Sequence, residues 1–179
     1  MIETLLFLPI ALAILVLIVR NKALNIIVTT VYAAVFMGIT VMLYLKPASF
    51  TPYFRIDDLN ILFLLVLAAV YFGVAIFNID FLRKNEAPAK SQALFTANLL
   101  VFIASMTGVI LSTHLALLWV FVEATTLSSS YLIFFSRSEA SLEATWKYLF
   151  ICSIGIAIAF VGIIFLSMGL TNSDSLFFD

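Results

Sequence analysis

Charged residues, cysteine and histidine are all scarce in this sequence. Charged side chains make up 11% of its 179 residues and hydrophobic ones 64%, whereas a soluble domain is about one quarter charged. The net charge of −1 provides no basic surface for a nucleic acid. A single cysteine, Cys152, excludes a disulfide within the chain, and with one histidine it leaves too few ligands for a typical zinc site. We therefore expect an all-α integral membrane protein in a lipid bilayer, with no metal and no nucleic-acid partner.

Motifs for bond-making chemistry are also missing. The sequence contains no phosphate-binding loop, nucleophile elbow, haem motif or dinucleotide fingerprint. We therefore predict no cofactor and no catalytic site in this chain.

Apolar stretches separated by polar residues fill the chain, and a helix needs about 20 apolar residues to cross a bilayer. We predict a single transmembrane domain over 1–179 with about six helices, over 4–19, 24–45, 59–78, 92–111, 115–135 and 149–170. The first is short and contains Pro9, which is tolerated if a neighbouring helix satisfies the freed carbonyl. The polar residues 112–114 divide the longest stretch, so helices four and five should form a tight hairpin.

The distribution of basic residues predicts the orientation. Loops one, three and five hold seven of them: Arg20, Lys22, Arg83, Lys84, Lys90, Arg137 and Lys147. The opposite side holds Lys46 and Arg55. Because short cytoplasmic loops are enriched in Lys and Arg, we place the odd-numbered loops in the cytoplasm. Both termini and the loop 46–58 are then outside, in a multi-pass protein of the cell (inner) membrane.

Glu123 is the most informative residue for function. It is the ninth residue of the predicted span 115–135, near the bilayer centre, where a charged side chain costs about 3 kcal/mol on insertion scales. Loss of water favours the protonated form of a carboxyl group, which suits a proton relay. Thr126 and Ser130 follow on the same helical face. The alternative is a protonated glutamate that only forms a hydrogen bond with a neighbouring helix.

Helix four has a polar line of its own. Ser91, Asn98, Ser105 and Ser112 recur every seven residues. One interpretation is a hydrated half-channel lined by helices four and five, to which Asn98 and Ser105 contribute. The other is a set of hydrogen bonds that hold packed helices together. The sequence alone leaves both open.

Two further residues are candidates for proton transfer near the membrane surfaces. Lys147 follows Glu143 by four residues, in the order that favours a helical ion pair. Lys147 is either a lysine that reaches to the interface or part of a proton path. His114, the only histidine, lies at the predicted turn between helices four and five. It is either a proton entry or exit group or a polar turn residue.

Helix six has a face of small residues. Gly155, Gly162 and Gly169 recur every seven residues, with Ala159 between them. Small side chains allow another helix backbone to approach closely. This face predicts tight packing within a larger bundle.

Two stretches resemble a known family. One is 114–127, with the run Glu123-Ala124-Thr125-Thr126-Leu127, and the other is 141–148. They resemble the antiporter-like proton-translocating membrane subunits of respiratory complex I, Mrp-type antiporters and group 4 hydrogenases. The similarity is greatest to hydrogenase-4 component F, and segment 54–60 resembles the family's entry to its third helix.

The resemblance implies a role for Glu123 as the proton-relay acid of the fifth helix, coupled to a lysine on a broken seventh helix. Lys147 matches a lysine at the start of helix six in several members. The family has about 14 helices, so the chain corresponds to an incomplete, N-terminal portion of that fold. The resemblance also implies partners, the other membrane subunits of a multi-subunit complex.

Three functions follow from this resemblance and its alternatives. The first is a proton or cation-translocating subunit of a redox-driven oxidoreductase complex, of hydrogenase or NADH:quinone oxidoreductase type. The second is a Mrp-type cation/proton antiporter subunit. The third is a non-transporting membrane assembly subunit.

Overall fold

A computed structural model describes residues 2–45, 53–84, 87–169 and 176 of the chain. Within these residues the chain forms six α-helices and a 3₁₀ turn at Phe134–Ser136. The helices are α1 (Ile2–Val19), α2 (Lys22–Leu45), α3 (Asp58–Lys84), α4 (Ala89–Leu111), α5 (Leu115–Ile133) and α6 (Glu139–Gly169). Two predicted features, Lys46 and the end of the sixth helix at residue 170, lie outside the described residues.

Helices α2 to α6 are each long and apolar enough to cross a membrane, and α1 is a shorter apolar helix. The all-α membrane architecture predicted from composition is therefore confirmed in the described part of the chain. This architecture follows from the bilayer itself, because a helix satisfies every backbone polar group internally.

Two helices extend beyond the apolar runs that predicted them. Helix α3 continues from residue 78 to Lys84, where the Nζ of Lys84 lies 2.7 Å from a carboxylate oxygen of Asp80. Helix α6 begins ten residues before 149, at Glu139. The Ser138 hydroxyl accepts a hydrogen bond from the Ser141 N–H at 3.1 Å, which satisfies one of the free donors at the start of α6.

Pro9 lies inside α1 and removes the N–H that would bind the carbonyl of Leu5. The hydroxyl of Tyr32, on α2, donates to this carbonyl at 3.3 Å. The neighbouring helix thus satisfies the freed group, as the sequence interpretation required.

The core lies among α1 to α4, with an aromatic cluster between α2 and α3. Tyr32, Phe36 and Tyr71 are fully buried there, with ring centroids 5.7 to 6.3 Å apart and mutually tilted planes. A buried polar contact joins the same helices, because the Asn78 amide donates to the Thr29 hydroxyl at 3.2 Å. Helix α4 packs against α1, α2 and α3 on one side and against α5 on the other.

The turn between α4 and α5 is held by the segment before α3. The Arg55 N–H donates to the Leu111 carbonyl, and the Thr113 N–H donates to the Tyr53 carbonyl, both at 3.0 Å. These bonds form an isolated antiparallel bridge between Phe54 and Ser112. They place residues 53–57 at the same end of the bundle as His114.

The small-residue face of α6 has no neighbour among the described residues. A Cβ atom added to Gly155 or Gly162 would meet nothing within 4 Å. The face is therefore open within the described part of the chain, and its packing in a larger bundle stays a prediction.

Candidate functional site

Glu123 lies in the middle of α5, where its side chain is half-buried. Its carboxyl group has no hydrogen-bond or ion-pair partner among the described residues. Val120, one turn before it, is 51% exposed, and Leu127, one turn after it, is 55% exposed. Glu123 therefore borders the uncovered face of α5.

The two hydroxyl residues predicted beside Glu123 form hydrogen bonds within their own helix. The Thr126 side chain is buried, and its hydroxyl donates to the Val122 carbonyl at 3.2 Å. The Ser130 hydroxyl donates to the Leu127 carbonyl at 2.7 Å. Serine and threonine commonly form such bonds to the preceding helical turn. The structure thus places both residues near Glu123 along the helix without a direct bond to it.

The polar side chains Asn98 and Ser105 of α4 also form hydrogen bonds within their own helix. The Asn98 amide donates to the Leu94 carbonyl, and the Ser105 hydroxyl donates to the Val101 carbonyl, both at 2.8 Å. Among the described residues, neither side chain forms a hydrogen bond with α5.

Phe121 and Gly108 form a close contact between α4 and α5. A Cβ atom added to Gly108 would lie 2.5 Å from Cδ1 of Phe121. Only glycine leaves enough space at this position for the aromatic ring. Ring packing therefore holds these two helices together here.

Direct polar contacts of α5 are made with α6. The hydroxyl groups of Ser129 and Tyr148 lie 2.7 Å apart, and the Trp119 indole N–H donates to the Ile156 carbonyl at 2.8 Å. The Trp119 and Phe160 rings pack with centroids 4.4 Å apart. Sequence reasoning missed the pair of Ser129 and Tyr148, because the two residues lie 19 positions apart on different helices. The tyrosine hydroxyl next to Lys147 was the one feature of the sequence that could have pointed to this pair.

Lys147 is the ninth residue of α6 and is exposed. Its ammonium group pairs with the carboxylate of Glu143, one turn earlier. In the part of the chain that the structure describes, Lys147 forms no ion pair with Glu123. The structure therefore places Lys147 near the start of α6 and leaves the two residues apart.

His114 precedes α5 and lies at the other end of the bundle. Its ring packs edge-on against Tyr53, with centroids 6.4 Å apart. Both rings line an open apolar groove of about 520 Å³ that continues along α5 to Val120. Nine residues of helix, or about 13 Å of rise, separate His114 from Glu123.

Curated proteins similar to this chain are membrane subunits. The chain is 30% identical to the hydrogenase-4 component F homolog of Methylacidiphilum infernorum, over 71% of this chain and 27% of that protein. It is 33% identical to the Na(+)/H(+) antiporter subunit A1 of Staphylococcus aureus, over 73% of this chain and 16% of that protein. The chain thus spans roughly a quarter or less of the length of these relatives. No protein-family model matches it.

One solved structure has the same fold over nearly the whole chain. It is the membrane-bound sulfane sulfur reductase, an archaeal respiratory membrane complex. The TM-score is 0.78 at 24% identity, over 95% of this chain and 37% of the matched chain. This similarity establishes the arrangement of the helices.

Proposed function

Because this chain is homologous to antiporter-like membrane subunits, we propose that it is the proton or cation-translocating part of a redox-driven membrane complex. Its partners are then the other membrane subunits of that complex, which carry the electrons. This chain contributes the membrane helices and the groups that transfer protons. In the cell (inner) membrane, its odd-numbered loops face the cytoplasm and both termini face outside.

One observation carries the proposal: a carboxyl group at the middle of a membrane helix, without a partner among the described residues. An ionised carboxylate in the bilayer interior costs about 3 kcal/mol on insertion scales, and a nearby charge or water lowers that cost. A change in charge elsewhere in the complex can therefore move a proton onto Glu123 or off it. That is the chemistry of a relay acid.

The remaining candidate residues have positions that suit supporting roles. Thr126 and Ser130 on α5, with Asn98 and Ser105 on α4, would line the water that reaches Glu123. Lys147 at one end of the bundle and His114 at the other would exchange protons near the two surfaces. Their separate locations fit a path that crosses the bilayer in stages.

A second function is a cation/proton antiporter subunit, which the similarity to the Na(+)/H(+) antiporter subunit favours. The same helices and the same glutamate would then be driven by an ion gradient. Adding a redox substrate or a sodium gradient to membrane vesicles separates the two, because each drives proton movement in only one case.

Glu123→Gln in the full-length protein tests both proposed transport functions. The variant keeps the shape and removes the exchangeable proton, so the proton translocation rate in inverted vesicles should fall about 100-fold. The amount of protein in the membrane should not fall, because the variant removes an intramembrane charge. Glu139→Gln, at an exposed glutamate at the start of α6, is the matched control.

An unchanged rate in Glu123→Gln would eliminate both transport functions. The non-transporting assembly function would then be the remaining one. Loss of the protein from the membrane would contradict the argument about insertion.

A further inference from the structure

Two contacts between α5 and α6 enclose Glu123. Four residues before Glu123, Trp119 donates to the Ile156 carbonyl. Six residues after Glu123, Ser129 bonds to Tyr148. Together they fix an antiparallel register in which Glu123 lies level with Cys152 and Ser153.

The face of α5 that bears Glu123 is also the face beside α6. Trp119, Glu123, Thr126 and Ser130 are spaced by four, three and four residues, so they share one side of the helix. Trp119 packs on Phe160 of α6, and Thr126 is buried. Glu123 therefore lies at the edge of the α5–α6 contact.

Hydroxyl groups occur along this contact on both helices. Helix α5 contributes Thr126 and Ser129, and α6 contributes Tyr148 and Ser153, which are half-buried. Among the described residues, the bond between Ser129 and Tyr148 is the one side-chain to side-chain hydrogen bond that joins α5 to another helix. By contrast, the Phe121 ring fills the space between α5 and α4 at Gly108.

We propose that the contact between α5 and α6 carries protons between Glu123 and the end of the bundle that bears Lys147, through the hydroxyl pair of Ser129 and Tyr148. This inference rests on the proposed role of Glu123 as the relay acid. It adds Ser129 and Tyr148 to the path, beyond the candidate residues already considered.

The chemistry of the pair suits proton transfer. A hydroxyl donates and accepts at the same time, so a proton that arrives on one lone pair can leave from the O–H, and each group stays neutral. The Ser129 hydroxyl also donates to the Thr126 carbonyl at 3.0 Å, which leaves Tyr148 as the donor in the pair. Rotation of the Ser129 hydroxyl reverses this direction. Six residues, or about 9 Å of helix rise, separate Ser129 from Glu123, so the proposed path includes water between these two residues.

Tyr148→Phe and Ser129→Ala test the path in the full-length protein. Each removes one hydroxyl and should lower the proton translocation rate about tenfold, and the rate ratio in H₂O and D₂O should change as well. Ser129→Thr keeps a hydroxyl and should retain the rate. The controls are Tyr131→Phe, at a half-buried tyrosine of α5 without a hydrogen bond among the described residues, and Ser128→Ala, at a buried serine that binds the Ala124 carbonyl.

Three outcomes would overturn the inference. A full rate in both hydroxyl variants while Glu123→Gln is inactive would remove the α5–α6 path and leave the proposed function intact. A lower rate with an unchanged isotope ratio, or without retention in Ser129→Thr, would mean that the pair only ties the helices. Loss of rate in Ser105→Ala, with none in Tyr148→Phe, would assign the path to α4 and α5. An active Glu123→Gln would instead reject the proposed function itself.

Discussion

Helix α4 and helix α6 have similar apolar compositions but opposite surroundings. Over its most apolar 18 residues, α4 has 56% of its positions buried within the chain, α5 has 11% and α6 has none. In a bilayer this difference costs little, because lipid tails are as apolar as a leucine side chain. Exposure here therefore reflects which helices pack against each other.

The packed core and the residues proposed to transfer protons lie in different parts of the molecule. Helices α1 to α4 hold the buried core with its aromatic cluster, and the Leu5 carbonyl that accepts from Tyr32. Helices α5 and α6 hold the unpaired carboxyl group of Glu123 and the hydroxyl pair of Ser129 and Tyr148. The groups proposed to change protonation thus lie where packing constrains them least.

The largest difference should come from removing an aromatic ring in each region. Phe36 is fully buried between α2 and α3, and Phe165 on α6 is 70% exposed. Phe36→Ala should lower the free energy of unfolding by about 3–5 kcal/mol through the cavity it leaves. Phe165→Ala should change it by less than about 0.5 kcal/mol. Denaturation in detergent measures both, and equal losses would contradict the division into two regions.

A smaller effect is expected where the two regions meet. Gly108→Ala forces Phe121 away from α4 and should cost about 1–3 kcal/mol of unfolding free energy. The control is Gly73→Ala on α3, where a Cβ atom meets nothing within 4 Å. Alanine there should stabilise the helix by up to about 1 kcal/mol. If both variants changed the free energy of unfolding in detergent in the same direction, the ring contact would not hold α4 and α5 together.

The smallest effect concerns polar contacts in each region. A double-mutant cycle on the exposed pair of Glu143 and Lys147 should give a coupling of about 0.3–0.5 kcal/mol. A cycle on the buried pair of Thr29 and Asn78 should give about 0.6 kcal/mol, typical of hydrogen bonds within membranes. A larger coupling in the exposed pair would contradict the expected difference between the two regions and assign Lys147 a structural role.

Much of the fold could be predicted from the sequence because the bilayer limits the choice of structure. Apolar runs of sufficient length, broken at 112–114, predicted the helices and the hairpin of α4 and α5. The early start of α6 was missed because 139–148 is polar, and a polar stretch can be either loop or helix. The cap at Ser138 and the ion pair of Glu143 and Lys147 decide in favour of helix.

The site was less predictable, for reasons of register. Glu123 was recognisable because an acid within an apolar helix is rare and costly. The pairing of Ser129 with Tyr148 was not, because these residues are 19 positions apart and their meeting depends on how α5 and α6 align. The spacing of Asn98 and Ser105 predicted a shared face correctly, but both side chains bind their own helix. Spacing alone does not reveal whether a polar side chain binds its own helix or a neighbouring one.

The most direct test of the account is whether Glu123 changes its protonation during turnover. Infrared difference spectra of the full-length protein in membranes, with and without the driving redox substrate or ion gradient, report the carboxyl C=O band. We predict a band that appears or disappears on energisation and is lost in Glu123→Gln but kept in Glu139→Gln. A difference spectrum identical in wild type and Glu123→Gln would contradict the role of Glu123 as the relay acid.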